Sequence, residues 1–469
     1  MGNFFKKMSE PKDMTEGSIS SKLVWFVVPL ILTNFVQQLY NTVDSIVAGK
    51  FIGDGALAAV GNSGPLINIL IVLFIGISTG TSILVSQYFG ARDQHSLHMT
   101  IGNSLSLSII SALFVTVVGI LAAPAFLRLV NTPEEIFHDT YVYLVIIFLG
   151  VGAQGLYNIS AGILRGMGDS MTALIFLCIA SVVNIFADIY FVAVLKMGVA
   201  GTAWATIMAQ YISCAGCLSK IFRMKDKIHI RKEHFKLSGD YAGKLIRLGV
   251  PAGFSQAIMA MASIVVQSLT NSFGTAVIAA NVIVMRIDGY VMMPNFSFGI
   301  AMTTFTGQNL GARKFDRIHQ GVGVGTRLAG CVSGILSAIL FLFGKQIAFA
   351  FTDVESTAVM VGTFLHIMAI GYVAVAVNQA LTGVIRGAGD TVSPMWISML
   401  TTILIRVPLA YMIAFLTRSE ANPAGNYRAL PISIVCAWTL GMLITVAVFY
   451  KGKWRRTIDA ARDGQSAQA

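Results

Sequence analysis

Ser86-Gln-Tyr-Phe-Gly-Ala-Arg92 recurs as Thr306-Gly-Gln-Asn-Leu-Gly-Ala-Arg313, and with it the fold is decided, because the chain contains itself twice. Gly90, Ala91, Arg92 and His98 align with Gly311, Ala312, Arg313 and His319, each 221 residues on. Leu164-Arg-Gly-Met-Gly-Asp169 recurs as Ile385-Arg-Gly-Ala-Gly-Asp390 at the same spacing. Lys22-Leu-Val-Trp-Phe-Val-Val-Pro29 recurs as Lys244-Leu-Ile-Arg-Leu-Gly-Val-Pro251, 222 residues on. Three motifs in one order at one spacing mark an internal duplication. Two like halves around a site between repeats is a common build of secondary transporters.

The halves are membrane-embedded. Hydrophobic residues form 55% of the 469, and charged residues only 12%, where a soluble domain carries about 25% charge. Mean hydropathy is +0.73. The first apolar run, from Leu23 past Val43, outlasts the roughly 7–15 residues of a signal-peptide core and reads as an uncleaved helix. Cys178, Cys214, Cys217, Cys331 and Cys436 all lie in apolar runs. Cys214-Ala-Gly-Cys217 has no neighbouring His or second pair, so it reads as small-residue helix packing.

A bilayer core about 30 Å thick needs roughly 20 apolar residues per helix. Runs of that length lie near 22–48, 57–86, 98–123, 139–164, 172–195, 198–222, 244–270, 277–306, 320–347, 357–385, 393–417 and 428–450. The expected fold is an all-α polytopic membrane protein with twelve spans, six per half. An even number returns each half to its starting side, so the repeats are parallel. The domain bounds read 1–21 (N-tail), 22–222 (N-lobe), 223–243 (basic linker), 244–450 (C-lobe) and 451–469 (C-tail). With the N-terminus in the cytoplasm, six of the 33 basic residues fall outside: Lys50, Arg128, Lys196, Lys345, Arg418 and Arg428. Arg286 and Arg406 lie within helices, and the rest are inside. That bias puts both termini in the cytoplasm. It also accounts for the net charge of +11 without nucleic acid. The linker is read as topogenic and as a flexible tether, with anionic headgroups as a second reading.

Charge within the membrane needs a reason. The first helix carries Asn34, Gln37, Gln38 and Asn41 on one face, continued by Asp44, a stripe about 15 Å long. With Tyr40 beside it, the stripe reads as the lining of a substrate cavity. The fifth helix carries Asn184 and Asp188 one turn apart. Asp44 and Asp188 lie about 9 and 12 Å below the outer edge, and Thr206 on the sixth helix reaches similar depth. Two carboxylates, an amide oxygen and a hydroxyl could coordinate Na⁺ at Asp44, Asn184, Asp188 and Thr206. Paired carboxylates away from water could instead hold a proton. Both readings stand. In the second half Asp44 maps to Val265 or Val266, Asn184 to Ile405 and Asp188 to Leu409. Acids needed only for the shared architecture would recur, so the site belongs to the first half. Asp288 and Arg406 read either as a structural pair or as substrate contacts. His366 reads as a core residue. No nucleotide-binding loop, serine elbow or His-Glu-x-x-His is present, and the chain is read as no enzyme.

The doubled Gln-x-x-Gly-Ala-Arg, the doubled Arg-Gly-x-Gly-Asp and the Val-Pro opening each half resemble the multidrug and toxic compound extrusion (MATE) family over about residues 15–455. The resemblance implies a V-shaped pair of six-helix lobes exporting organic, often cationic, compounds against H⁺ or Na⁺, with no cofactor. It adds Asn158 on the fourth helix to the ion-coupling set of Asp44, Asn184, Asp188 and Thr206. The pattern is more similar to the DinF-type branch than to the NorM type, whose acids lie on the seventh and tenth helices. Here those helices offer Gln256, Asn378 and Gln379 as cavity residues. The expected partners are small organic cations or drugs, a coupling ion and the lipid bilayer of a bacterial inner membrane, with the protein a monomer. The competing reading is a flippase for a lipid-linked glycan. Such flippases hold pyrophosphate in basic cavities, whereas this first-half cavity is acidic. A receptor without transport explains neither the duplication nor the buried acids.

Overall fold

The structure is a computed structural model describing residues 11–47, 49, 52, 54–224, 228–420, 423–452 and 454–455. The side chains of Asn41 and Asp44 lie outside the described residues, as do parts of both tails and of the linker.

Twelve long helices follow one another among the described residues. They are α1 (Ile19–Val47), α2 (Asp54–Gly90), α3 (Gln94–Leu129), α4 (Glu134–Gly166), α5 (Met171–Val194), α6 (Val199–Arg223), α7 (Gly239–Ser272), α8 (Thr275–Gly311), α9 (Phe315–Ala348), α10 (Glu355–Gly387), α11 (Val392–Leu416) and α12 (Ala429–Lys451). Eleven are long and apolar enough to cross a membrane; α6, with Lys220 and Arg223 in its last turn, is the less apolar twelfth. All twelve predicted spans are therefore helices. At 37 residues, α2 and α8 extend to about 55 Å and must project beyond an apolar slab of about 30 Å.

The duplication is visible in the backbone. Arg92 and Arg313 both adopt the left-handed conformation, at φ 56° and 55°. Each closes a helix C-terminus in which the following amide reaches back five residues, Asp93 to Tyr88 and Lys314 to Asn309. Gly168 and Gly389 repeat the match at φ 87° and 94°. Asp169 and Asp390 each then hold the start of the next helix. Asp169 accepts from the Thr172 amide at 2.9 Å and hydroxyl at 2.5 Å. Asp390 accepts from the Ser393 amide at 2.9 Å and hydroxyl at 2.6 Å. The Arg-Gly-x-Gly-Asp motif is thus a turn with a helix start built into it. Burial pushes the Asp169 carboxyl above its ordinary pKa, and the Thr172 bonds oppose that shift.

By packing, the chain divides into two compact units. Unit 1 comprises Met1–Asp13 and Val28–Gly253; unit 2 comprises Met14–Val27 and Phe254–Ala469. Apart from the one after Asp13, the divisions fall inside α1 and α7, close to Pro29 and Pro251, the only prolines those helices contain. Duplication and packing therefore have different bounds. In unit 1, the first half of α7 lies against α2 through glycines. A Cβ on Gly76 would stand 2.6 Å from the Gly249 carbonyl oxygen, and one on Gly80 would stand 2.8 Å from that of Leu245. Small residues four apart on both helices permit this approach.

Two polar attachments complete the units. In unit 2, Gln308 Oε1 accepts from the Met14 amide at 2.8 Å, and Arg317 donates to the carbonyls of Met14, Glu16 and Gly17 at 3.1, 3.1 and 2.8 Å. In unit 1, the linker is docked on α3. Asn103 Oδ1 accepts from the Ser238 amide at 2.8 Å, and Ser106 Oγ donates to the Phe235 carbonyl at 2.7 Å. His98 Nε2 accepts from the His229 amide at 3.0 Å. His234 is buried, and its ring lies 5.4 Å from that of His98. The described part of the linker is thus held in place, where the sequence reading expected a tether. Three polar residues of α3 hold it there, His98, Asn103 and Ser106, spread over about two and a half turns.

Candidate functional site

α5 positions the predicted site. Its apolar residues Ile179, Val182 and Phe186 face outward, 45%, 53% and 68% exposed, as suits a lipid-facing surface. Asn184 and Asp188 occupy the opposite stripe and are wholly buried, at 0%. Neither the Nδ2 nor the Oδ1 of Asn184 has a hydrogen-bond partner among the described residues. A buried amide with both ends unmatched costs on the order of 1–3 kcal/mol per group unless something is bound there. Just past Asp188 the helix widens into a π-helical segment, Tyr190–Val194. Such segments insert an extra residue into the turn and recur at functional sites.

α6 packs beside α5 in the same unit. Thr206 is 7% exposed, seven residues into α6, which places it about 10 Å from the α5–α6 connection. Asp188, six residues before the end of α5, lies about 9 Å from the same connection. Asp188 and Thr206 therefore lie at a similar depth, with Asn184 one turn, about 6 Å, further in, and all three are buried. Asn158 does not share that depth. Gly150 of α4 meets Ile207 of α6, and Asn158 lies eight residues, about 12 Å, further inward. Its Nδ2 returns to the Gln154 carbonyl at 2.9 Å, and its own carbonyl accepts from Ser78 at 2.6 Å. On α1, Asn34, Gln38 and Tyr40 are half-buried and Gln37 is exposed. The described part of the stripe is thus neither fully packed nor fully lipid-facing.

In unit 2, Gln256 is exposed and Gln379 half-buried. Asn378 accepts from Thr445 of α12 at 2.6 Å. Sequence reasoning missed the role of Tyr372: its hydroxyl donates to Asp288 Oδ1 at 2.9 Å, across α10 and α8. Its ring lies 5.3 Å from that of Trp438 on α12. Arg406 ends a second π-helical segment, Met399–Arg406, within α11. Asp288 and Arg406 form no ion pair within 4.0 Å among the described residues. The direct structural pair is therefore not what the fold builds. Among the described residues, no group of three or more His, Cys, Asp or Glu could hold a metal ion.

The profile of the MatE family matches the chain twice, over residues 29–190 and 251–412. The chain is 28% identical over 446 residues to "Probable multidrug resistance protein YoeA" of Bacillus subtilis (strain 168), covering 94% of this chain and 95% of that protein. To "Probable multidrug resistance protein NorM" of Thermotoga maritima it is 22% identical over 465 residues, 98% of each. Among solved structures, a MATE protein crystallised in complex with MaL6 superposes with a TM-score of 0.86 at 25% identity, covering 96% of this chain and 99% of that one.

Proposed function

Since the chain belongs to the MATE family of membrane transporters, we propose that it is a secondary multidrug exporter whose ion coupling resides in the first repeat. The relatives named for multidrug resistance support export of small organic compounds, cationic ones foremost. The reading of a glycan-lipid flippase is not favoured. The observation that carries the coupling site is the buried Asn184–Asp188 turn. It sets a carboxylate one turn from an amide that lacks partners among the described residues, beside a π-helical widening. The second repeat has Ile405 and Leu409 at the corresponding positions. Coupling through the first repeat alone is the DinF-like arrangement. The coupling set is Asp44, Asn184, Asp188 and Thr206, with Asn158 in a secondary place. Asn34, Gln37, Gln38, Tyr40 and Asn41 line the substrate path, with Gln256, Asn378 and Gln379 contributing from the second repeat.

Protonation of Asp188 would remove the charge that attracts a cationic substrate, so that drug and proton exclude one another. The proton would enter from outside and leave to the cytoplasm. H⁺ is the preferred coupling ion; the same oxygens would serve Na⁺. The protein would act as a monomer in the bacterial inner membrane, with repeats 22–222 and 244–450 as its moving lobes and both termini in the cytoplasm. Efflux from sodium-free proteoliposomes under an imposed pH gradient tests the ion. Transport there is the expected result. No transport, with recovery on adding Na⁺ at constant pH, would reverse the assignment.

A further inference from the structure

Four of the chain's seven histidines, His95, His98, His229 and His234, fall on the first turns of α3 and on the linker docked there. Two of them hold the linker by accepting hydrogen bonds. His98 Nε2 accepts from the His229 amide at 3.0 Å. His234 Nδ1 accepts from the Arg231 amide at 2.9 Å, where the 3₁₀ turn Lys232–Phe235 begins. A ring nitrogen accepts only while it carries no proton, so each imidazole is docked in its neutral form. His98 is half-buried, His234 is 7% exposed, and the rings lie 5.4 Å apart.

A second proton on either ring turns its acceptor into a donor and leaves the facing amide without its bond. With both rings charged, two cations face each other in a basic neighbourhood. The linker adds Arg231, Lys232 and Lys236, the end of α6 adds Lys220 and Arg223, Arg92 precedes α3, and α7 adds Lys244. Of the acids, Asp93 accepts from the Ser96 amide, Glu233 lies 3.7 Å from Arg231, and Asp240 sits in the first turn of α7. Lys244 donates to the Tyr88 hydroxyl at 3.2 Å, and Tyr241 shares a hydrogen bond with Ser96. Lys225, Asp226 and Lys227 lie outside the described residues. The remaining bonds of the linker hang on the same short backbone. Asn103 donates to the His234 carbonyl at 3.3 Å and accepts from the Ser238 amide at 2.8 Å. Ser238 directly precedes α7, so the attachment also sets where α7 begins.

We propose that His98 and His234 form a proton-operated latch that holds the linker on α3 near neutral pH and releases it under acid. The sign follows from proton counting. Each docked ring carries one proton and each released ring can carry two, so docking strengthens as pH rises. Imidazoles change charge near pH 6.5 in water, about where release sets in. The latch stands apart from the Asn184–Asp188 turn and does not depend on which ion is coupled there.

Amide hydrogen exchange of the full chain in nanodiscs, at about pH 7.5 and about pH 5.5, tests it on either side of the imidazole range. Each rate is divided by that of an unstructured peptide at the same pH. Protection at the His229, Arg231 and Ser238 amides should fall about ten- to a hundredfold at the lower pH, about tenfold per ring. α5 carries no histidine, and its amides should keep their protection, which separates release from unfolding. His98→Gln combined with His234→Asn puts an amide oxygen in place of each accepting nitrogen and takes up no proton, so its linker should stay docked at both pH values. Unchanged wild-type protection, an equal fall in the double variant, or a Ser238 amide that stays protected while the other two open overturns the latch. If the double variant does not dock near neutral pH, His98→Gln alone decides: it should keep about half of the logarithmic fall, and the full fall overturns the proposal.

Discussion

Gly102→Ala separates a docked linker from a free one by the sign of its effect. Gly102 lies inside α3, where alanine is the better helix former by about 1 kcal/mol. Were 228–238 unattached, the substitution would stabilise the protein by about that amount. In the structure, a Cβ on Gly102 would stand 2.2 Å from the His234 carbonyl oxygen. That oxygen must retreat by more than about 1 Å to reach ordinary contact distance. The neighbouring bonds from Asn103 Nδ2, already 3.3 Å to His234 and 3.4 Å to Lys236, cannot survive such a shift. The Ser238-to-Asn103 bond is strained with them. Two or three bonds at about 1 kcal/mol each amount to roughly 2–3 kcal/mol of lost docking. Local opening should rise roughly thirty- to a hundredfold. Hydrogen exchange at the His229 and Ser238 amides reads it directly, since each is held by a side chain of α3. Unchanged exchange there, with a raised melting temperature, would refute the docking.

Asp188→Asn should abolish coupled export while leaving insertion and folding intact; wild-type efflux rates in proteoliposomes would remove Asp188 from the coupling set. Asp44→Asn should retain partial activity, and unchanged stoichiometry would mark Asp44 as structural. Asp169→Ala and Asp390→Ala should each cost about 1 kcal/mol, the worth of a helix start, by similar amounts because both bind an amide and a hydroxyl; a difference above about 2 kcal/mol in denaturant unfolding would contradict their equivalence. Arg317→Ala should free the segment around Met14–Gly17 by removing three backbone contacts, seen as faster limited proteolysis near Gly17.

Much of this fold could be read in the residues, for physical reasons. An apolar span must be a helix in lipid, so all twelve runs became helices with ends displaced by a few residues. The Gly-Ala-Arg and Arg-Gly-x-Gly-Asp repeats were legible because backbone turns depend on local sequence. The burial of Asn184 and Asp188 was legible because a polar turn in an apolar helix has few places to go. What escaped was contact between distant segments. Nothing near Asn103 announces a partner 131–135 residues away. Tyr372 carried no signal apart from its phenol, although a buried hydroxyl always raises the question of its acceptor. The π-helical segments were equally hidden, since a one-residue insertion in the turn leaves the apolar pattern nearly unchanged.

The assignment of Met14–Val27 to unit 2 has a consequence for biogenesis. The ribosome releases this segment at the start of synthesis, yet its acceptor, Gln308, stands 294 residues later. At about 5–20 residues per second, the segment waits roughly 15–60 seconds before its binding surface exists. The first half of α7 likewise belongs to unit 1, which cannot close until the nascent chain has passed Gly253. Neither unit is finished when its own repeat has left the translocon. Cutting the gene between the repeats would therefore leave each fragment short of a piece that the other encodes, and only the two made together would assemble.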